Sequence, residues 1–161
     1  MSNSIRIQSI TAVQTLPLRS AVLRPDRPIE ESIFVGDNDP ATFHLGAFAD
    51  DALIGVASLY REPLRGSVAQ VAAPAVQPAD VWRLRGMAVE PMLQGQGYGR
   101  QLLTACLQEV GLRDGKLLWC NARTSAVGFY QGAGFEISGA EFVIPQIGPH
   151  YVMLRCVEKS R

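Results

Sequence analysis

Two periods of hydrophobic spacing divide the chain. Ile5–Val13 reads as a first strand, although its polar alternation is loose. The stretch from Pro17 to Ile29 carries three prolines and predicts short helical turns. Gly36-Asp37-Asn38-Asp39-Pro40 is a turn sequence. Two apolar runs, Thr42–Ala49 and Leu53–Tyr60, flank Asp50-Asp51 and predict a β-hairpin. Glu62–Asp80, with Pro63, Pro74 and Pro78 among small residues, lacks periodicity and reads as a loop, a candidate for mobility.

The second half is more regular. Val81–Val89 predicts a strand, broken at Pro91. A helix over Tyr98–Val110 places Leu103, Leu107 and Val110 on one face, with Leu102 and Cys106 beside them, and Gly111 is its expected C-cap. Lys116–Cys120 predicts a buried strand, and Ser125–Gln131 a short helix stopped by Gly132. Phe135–Ser138 and His150–Cys156 complete the strands. A helix joining two apolar strands makes Val81–Val89 and Lys116–Cys120 parallel neighbours, so the fold class is mixed α/β. There is no internal repeat, and 161 residues suit a single domain.

Composition narrows the functional classes. Hydrophobic residues are 47% of the chain and charged residues 19%, as in soluble globular proteins. Lys+Arg and Asp+Glu are both 15, which leaves no basic excess for nucleic acid. No apolar run reaches eighteen residues and the N-terminus lacks a signal-peptide pattern, so a cytoplasmic protein without membrane attachment is expected. Cys106, Cys120 and Cys156, odd in number and widely spaced, predict reduced thiols. Neither a CxxC pair nor a histidine cluster suggests a metal.

The chemistry concentrates in LRGMAVEPMLQGQGYGRQLL, residues 84–103. A strand feeds a loop with glycines at 95, 97 and 99, and a helix follows at once. Such a helix N-terminus offers unpaired backbone N–H groups and the positive end of a dipole, a setting for pyrophosphate. Gly-Lys-Ser and Gly-Lys-Thr are absent, which excludes a P-loop. The dinucleotide fingerprint fails too, because Arg100 or Leu102 stands where its third glycine belongs.

The pattern that fits is Gln94-Gly95-Gln96-Gly97-Tyr98-Gly99. It resembles the phosphate loop of the GNAT superfamily of acetyl-coenzyme A-dependent N-acetyltransferases. A second segment, LLWCNARTSAVGFYQGAGF over residues 117–135, resembles that family's other signature through Asn121, Ala122, Arg123, Ala126, Phe129, Tyr130, Gly134 and Phe135. The likeness is strongest over 82–135. It implies a central mixed, mostly antiparallel sheet flanked by helices, whose one parallel pair of strands splays apart to admit the acetyl-pantetheine arm.

The resemblance also assigns roles. The loop Gln94, Gly95, Gln96, Gly97, Tyr98, Gly99 and Arg100 would hold the pyrophosphate. Main-chain groups of Met87, Ala88 and Val89 would pair with pantetheine, with the Val89 N–H polarising the thioester carbonyl. Asn121 would hold the pantetheine arm, the alternative being an N-cap or turn asparagine. Tyr130 would protonate the departing thiolate, the alternative being a core aromatic, a part also open to Phe129. Glu62, Glu141 and His150 are candidates for the general base, as is water. His44 reads as a satisfied core histidine, Cys120 as an inert buried thiol, and the acidic turns at Asp37, Asp39, Asp50 and Asp51 as solvated. The expected activity is direct acetyl transfer to a small-molecule or peptide amine, with homodimerisation common in the family. A non-catalytic acyl-coenzyme A sensor on the same fold is the rival.

Overall fold

The computed structural model describes residues 4–64 and 76–159, so most of the expected loop at Glu62–Asp80 lies outside the described residues. Strand β1 covers Arg6–Ser9 and is shorter than the expected Ile5–Val13. The cause is Thr11: its hydroxyl accepts from the Gln14 N–H at 3.2 Å, and the Gln14 side chain accepts from the Thr11 N–H at 2.8 Å. This reciprocal cap starts helix α1 at Ala12–Leu18 and takes Val13 into the helix. A π-helical turn at Arg19–Leu23 and a 3₁₀ turn at Ile29–Ser32 follow, the short turns that the prolines predicted.

Strands β2 (Phe43–Ala49) and β3 (Ala52–Arg61) form the expected hairpin, turning through Asp50 at φ 53°. β4 spans Val81–Val89, as the apolar run predicted. Helix α2 runs Tyr98–Leu112, two residues past the expected end, with Gly111 inside it. Its true stop is Asp114, at φ 61°, followed by Gly115, whose N–H bonds the Val110 carbonyl at 2.8 Å. That is a Schellman closure. A Cβ on Gly115 would meet Val110 at 2.4 Å and Trp82 at 2.7 Å.

β5 spans Leu117–Arg123, three residues beyond the expected strand. The extension exists because β7 (Gly148–Cys156) pairs with it at every position from Leu117↔Cys156 to Arg123↔His150. A 3₁₀ turn at Thr124–Ala126 leads into α3, Val127–Gly132. The helix ends at Gly132, as expected, and Gly134 closes it. Gly134 adopts φ 89°, and the next N–H, of Phe135, bonds the Tyr130 carbonyl at 3.0 Å. β6 (Glu136–Ile144) and β7 are both longer than expected and pair antiparallel, with an irregularity between Ser138 and Phe142.

The seven strands hydrogen-bond in the order β1-β2-β3-β4-β5-β7-β6. β4 and β5 are the parallel pair, in register at Val81↔Leu117, Trp82↔Leu118 and Arg83↔Trp119. Two compact units divide the chain: residues 1–60 with 84–106, and residues 61–83 with 107–161. The first buries Ile10, Leu18, Val56 and Ala88. The second buries Val81, Leu117 and Trp119, with Val152 and Leu154 packed on them. No described helix is long and apolar enough to cross a membrane.

Candidate active site

The glycine loop belongs to the first unit. Gly95 and Gly97 adopt φ 80° and 88°, a region that side-chain-bearing residues rarely enter, and a Cβ at either would project into open space. Gly99 has no such φ; it is the second residue of α2. The first hydrogen bond linking the loop to α2 runs from the Gln101 N–H to the Gly97 carbonyl, 3.1 Å. The N–H groups of Tyr98, Gly99 and Arg100 precede it and have no acceptor within the helix. The loop therefore leads into the donor end of α2, with open space where side chains at Gly95 and Gly97 would stand.

Two loop side chains serve the loop itself. Gln94 Nε2 donates to the Val89 carbonyl at 2.9 Å, and Gln96 Nε2 to the Met92 carbonyl at 3.5 Å. Tyr98 is buried and Arg100 exposed. Ala88 is buried, while Met87 and Val89 are half-buried. The Glu90 N–H bonds the Ile54 carbonyl of β3 at 2.8 Å. Because N–H groups alternate in direction along a strand, the Val89 N–H points away from β3, on the side where its own carbonyl meets Gln94.

The first unit also holds a polar cluster that sequence reading did not assemble. Arg19 is fully buried beneath Phe34, its guanidinium carbon 4.2 Å from that ring's centroid. It donates to both carboxylate oxygens of Asp37 (2.7 and 3.0 Å), to the Ser58 hydroxyl (2.7 Å), to the Tyr60 oxygen (3.1 Å) and to the Ser32 carbonyl (3.0 Å). Tyr60 in turn donates to Asp37. Asp37 is thus a buried anion rather than a solvated turn residue. Burial alone would raise its pKa, but hydrogen bonds from Arg19, Tyr60 and the Phe34 N–H, with the Arg19 charge, bring it below the usual carboxylate value. Burial pushes the Tyr60 phenol up to about 12. His44 closes the cluster through Ser58 Oγ (2.6 Å) and the Asp37 carbonyl (2.9 Å), as a satisfied core histidine should. Gly86 of β4, at φ 68°, leaves room for Arg19; a Cβ there would lie 2.8 Å from Arg19 Nε. The sequence signal for all this is thin: one arginine inside an otherwise apolar stretch.

Asn121 and Tyr130 lie in the second unit. Asn121 sits inside β5 opposite Val152, not past the strand, and the 3₁₀ turn after Arg123 has no side-chain cap, so the capping role is removed. Tyr130 is buried between Phe129 and Phe135, with ring centroids 5.1 and 5.4 Å away. Phe129 is exposed rather than core, at 38%. The Tyr130 hydroxyl hydrogen-bonds the Cys120 thiol. Burial pushes that thiol up to about 12 despite this bond and the Arg83 charge, so Cys120 is not a ready nucleophile.

Successive residues of β5 face opposite sides of the sheet. Cys120 and Ala122 are buried on the Tyr130 side. Trp119 packs with Val152 and Leu154 on the other, where its indole N–H donates to the Glu62 carbonyl at 2.8 Å. The Glu62 carboxylate is engaged by Arg83 Nη1 at 3.3 and 3.4 Å. His150, opposite Arg123, shares the Trp119 face. It is buried; its Nδ1 lies 2.7 Å from the Gly148 carbonyl, and its ring is 5.9 Å from that of Phe142. Glu141 is exposed on β6. Among the described residues, no three acidic, histidine or cysteine side chains converge as a metal site.

Residues 22–147 match the acetyltransferase (GNAT) domain family. The chain is 31% identical over 157 residues to YitI, an uncharacterized N-acetyltransferase of Bacillus subtilis (strain 168), covering 98% of this chain and 99% of that protein. Its fold matches the ribosomal-protein-S18-alanine N-acetyltransferase of Escherichia coli at a TM-score of 0.72, with 16% identity over 98% of this chain and 97% of the other. It matches an aminoglycoside 6'-N-acetyltransferase complexed with coenzyme A at 0.65, with 15% identity over 94% and 96%. A family match across most of the chain, joined to a full-length relative and to both signatures in their expected elements, decides the question: this chain belongs to the GNAT family of acetyltransferases.

Proposed function

We propose that residues 1–161 act as one acetyltransferase domain that moves an acetyl group from acetyl-coenzyme A directly to a primary amine while both are bound. The observation that carries this is the loop at Gly95 and Gly97. Positive φ at both, open space where their side chains would stand, and the start of α2 immediately after them together suit a diphosphate. Acetyl-coenzyme A, when bound, supplies an activated thioester. The loop anchors the carrier by main-chain donors, and Gln94 holds the loop to the end of β4. The Val89 N–H, directed away from β3, polarises the thioester carbonyl; one such donor typically contributes roughly 3 kcal/mol. Asn121 holds the pantetheine arm. Tyr130 gives the departing sulfur a proton, and the bond that its hydroxyl makes to Cys120 supports a hydroxyl set to meet sulfur.

Calorimetric titration with acetyl-coenzyme A, followed by thiol-release assays over a panel of primary amines, tests this reading. Saturable binding with acetylated amine product is expected. Binding without transfer to any amine favours an acyl-coenzyme A sensor, and no binding removes both readings.

A further inference from the structure

Within the second unit, the outer end of β5 carries three polar side chains on one face. Asn121 and Arg123 come from β5 and His150 from β7, beyond the apolar floor of Leu117, Trp119, Val152 and Leu154. His150 is directly opposite Arg123 and diagonal to Asn121, a spacing of roughly 7 Å in an antiparallel pair. Tyr130 reaches β5 from the opposite side, through Cys120.

We propose that His150 is the general base of the transfer, with Nε2 taking the proton from the incoming ammonium. The assignment rests on the acetyl-transfer reading above and goes beyond it by naming a catalytic residue. Three observations carry it. A carbonyl can only accept, so the 2.7 Å contact with Gly148 fixes the proton on Nδ1 and leaves the Nε2 lone pair free of it in the neutral ring. The Phe142 ring packs beside the imidazole, centroids 5.9 Å apart and the planes tilted by 31°. The face that carries His150 also carries Asn121, the residue placed on the pantetheine arm, while the proposed acid lies on the other face. Base and acid then lie on opposite faces of β5, the one placed to deprotonate the amine before it adds to the carbonyl and the other to protonate the sulfur when the tetrahedral adduct collapses.

The other candidates fit less well. Taking a proton at Glu62 would forfeit its ion pair with Arg83. Glu141 is exposed beside the irregular part of β6.

The protons balance as follows. Nε2 takes one proton from the ammonium, and the freed lone pair forms the C–N bond. The C–S bond breaks with its electron pair on sulfur, which receives the Tyr130 proton. The second proton shed by the nitrogen restores the phenol, and His150 passes its own to water. Ammonium and thioester thus yield amide, thiol and one proton.

The test measures thiol release from acetyl-coenzyme A over a panel of primary amines, with calorimetric titration of the same ligand, for the native chain, His150→Asn and His150→Ala. The asparagine amide keeps a donor for the Gly148 carbonyl while removing the base. A merely structural histidine therefore predicts native turnover in His150→Asn. A catalytic one predicts a fall in kcat of roughly 10²-fold with acetyl-coenzyme A affinity unchanged. In His150→Ala, added imidazole should restore part of the lost turnover. If His150→Asn does not fold, the imidazole experiment carries the test. Turnover surviving in His150→Asn, or a His150→Ala defect that imidazole leaves untouched, overturns His150 while the transfer reading stands. Absence of transfer to every amine in the native chain overturns both.

Discussion

Gln94 Nε2 donates to the Val89 carbonyl at 2.9 Å, so the first residue of the glycine loop is bonded to the last residue of β4. Both lie in the same compact unit, and the bond sets how far the loop stands from the strand end. Gln94 is exposed, so its bond contributes to positioning more than to stability. Gln94→Ala is expected to weaken acetyl-coenzyme A binding about three- to tenfold, on the order of 1 kcal/mol, with an unchanged melting temperature. Calorimetry and thermal melting on the same variant check both halves.

Gly97 and Gly99 should behave differently. At Gly97 the φ of 88° strains any Cβ-bearing residue by roughly 1–2 kcal/mol, and the side chain would occupy the space assigned to phosphate. Gly97→Val should therefore lose both stability and ligand affinity. Gly99→Ala, within ordinary helix, should gain about 0.5–1 kcal/mol of stability. If its Cβ faces the diphosphate, affinity falls at the same time. Paired denaturant melts and titrations separate the two effects.

Tyr130→Phe removes the hydroxyl but keeps the packing against Phe129 and Phe135. Turnover should fall by roughly 10²-fold, with acetyl-coenzyme A affinity nearly intact. Cys120→Ala, by contrast, should retain acetyl transfer, because a thiol raised to about 12 is not an acyl carrier at neutral pH. Trapping of an acetylated cysteine by mass spectrometry would reverse that conclusion.

The Arg19–Asp37 pair predicts an acid-sensitive fold. Asp37 titrates below its ordinary value in the folded state, so the stability it contributes is complete above the unfolded carboxylate range near pH 3.9 and is lost as pH falls below it. Tyr60, raised to about 12, contributes stability that is complete below about pH 10 and declines from pH 10 towards 12. Chemical denaturation across pH should show both flanks, and Tyr60→Phe should flatten the alkaline one. Arg19→Met leaves Asp37 buried without its cation, a loss of about 3–5 kcal/mol.

Local chemistry was readable wherever one stretch of chain contained its own partners. Val81–Val89, the hairpin at Asp50-Asp51 and the glycine loop all depend on neighbours a few residues away, and the structure places them within a residue or two. The end of α2 differs from the one its glycine predicts. Gly111 looks like a stop, but α2 runs on to Leu112 because Asp114 takes the left-handed conformation and the next N–H closes onto Val110.

Long-range pairing was hidden. β5 reaches Arg123, and Asn121 becomes a strand residue, only because β7 lies alongside, and the facing positions are about thirty residues apart in the chain. Asp37 changes from a turn residue to a buried anion only because Arg19, Ser58 and Tyr60 converge on it. By itself the sequence determined the glycine loop, the succession of elements and the family, since these rest on spacing along one strand of chain. Tertiary structure alone decided which face of the sheet each polar group occupies. That outcome depends on register and burial, and a one-residue shift in register would move His150 to the opposite side.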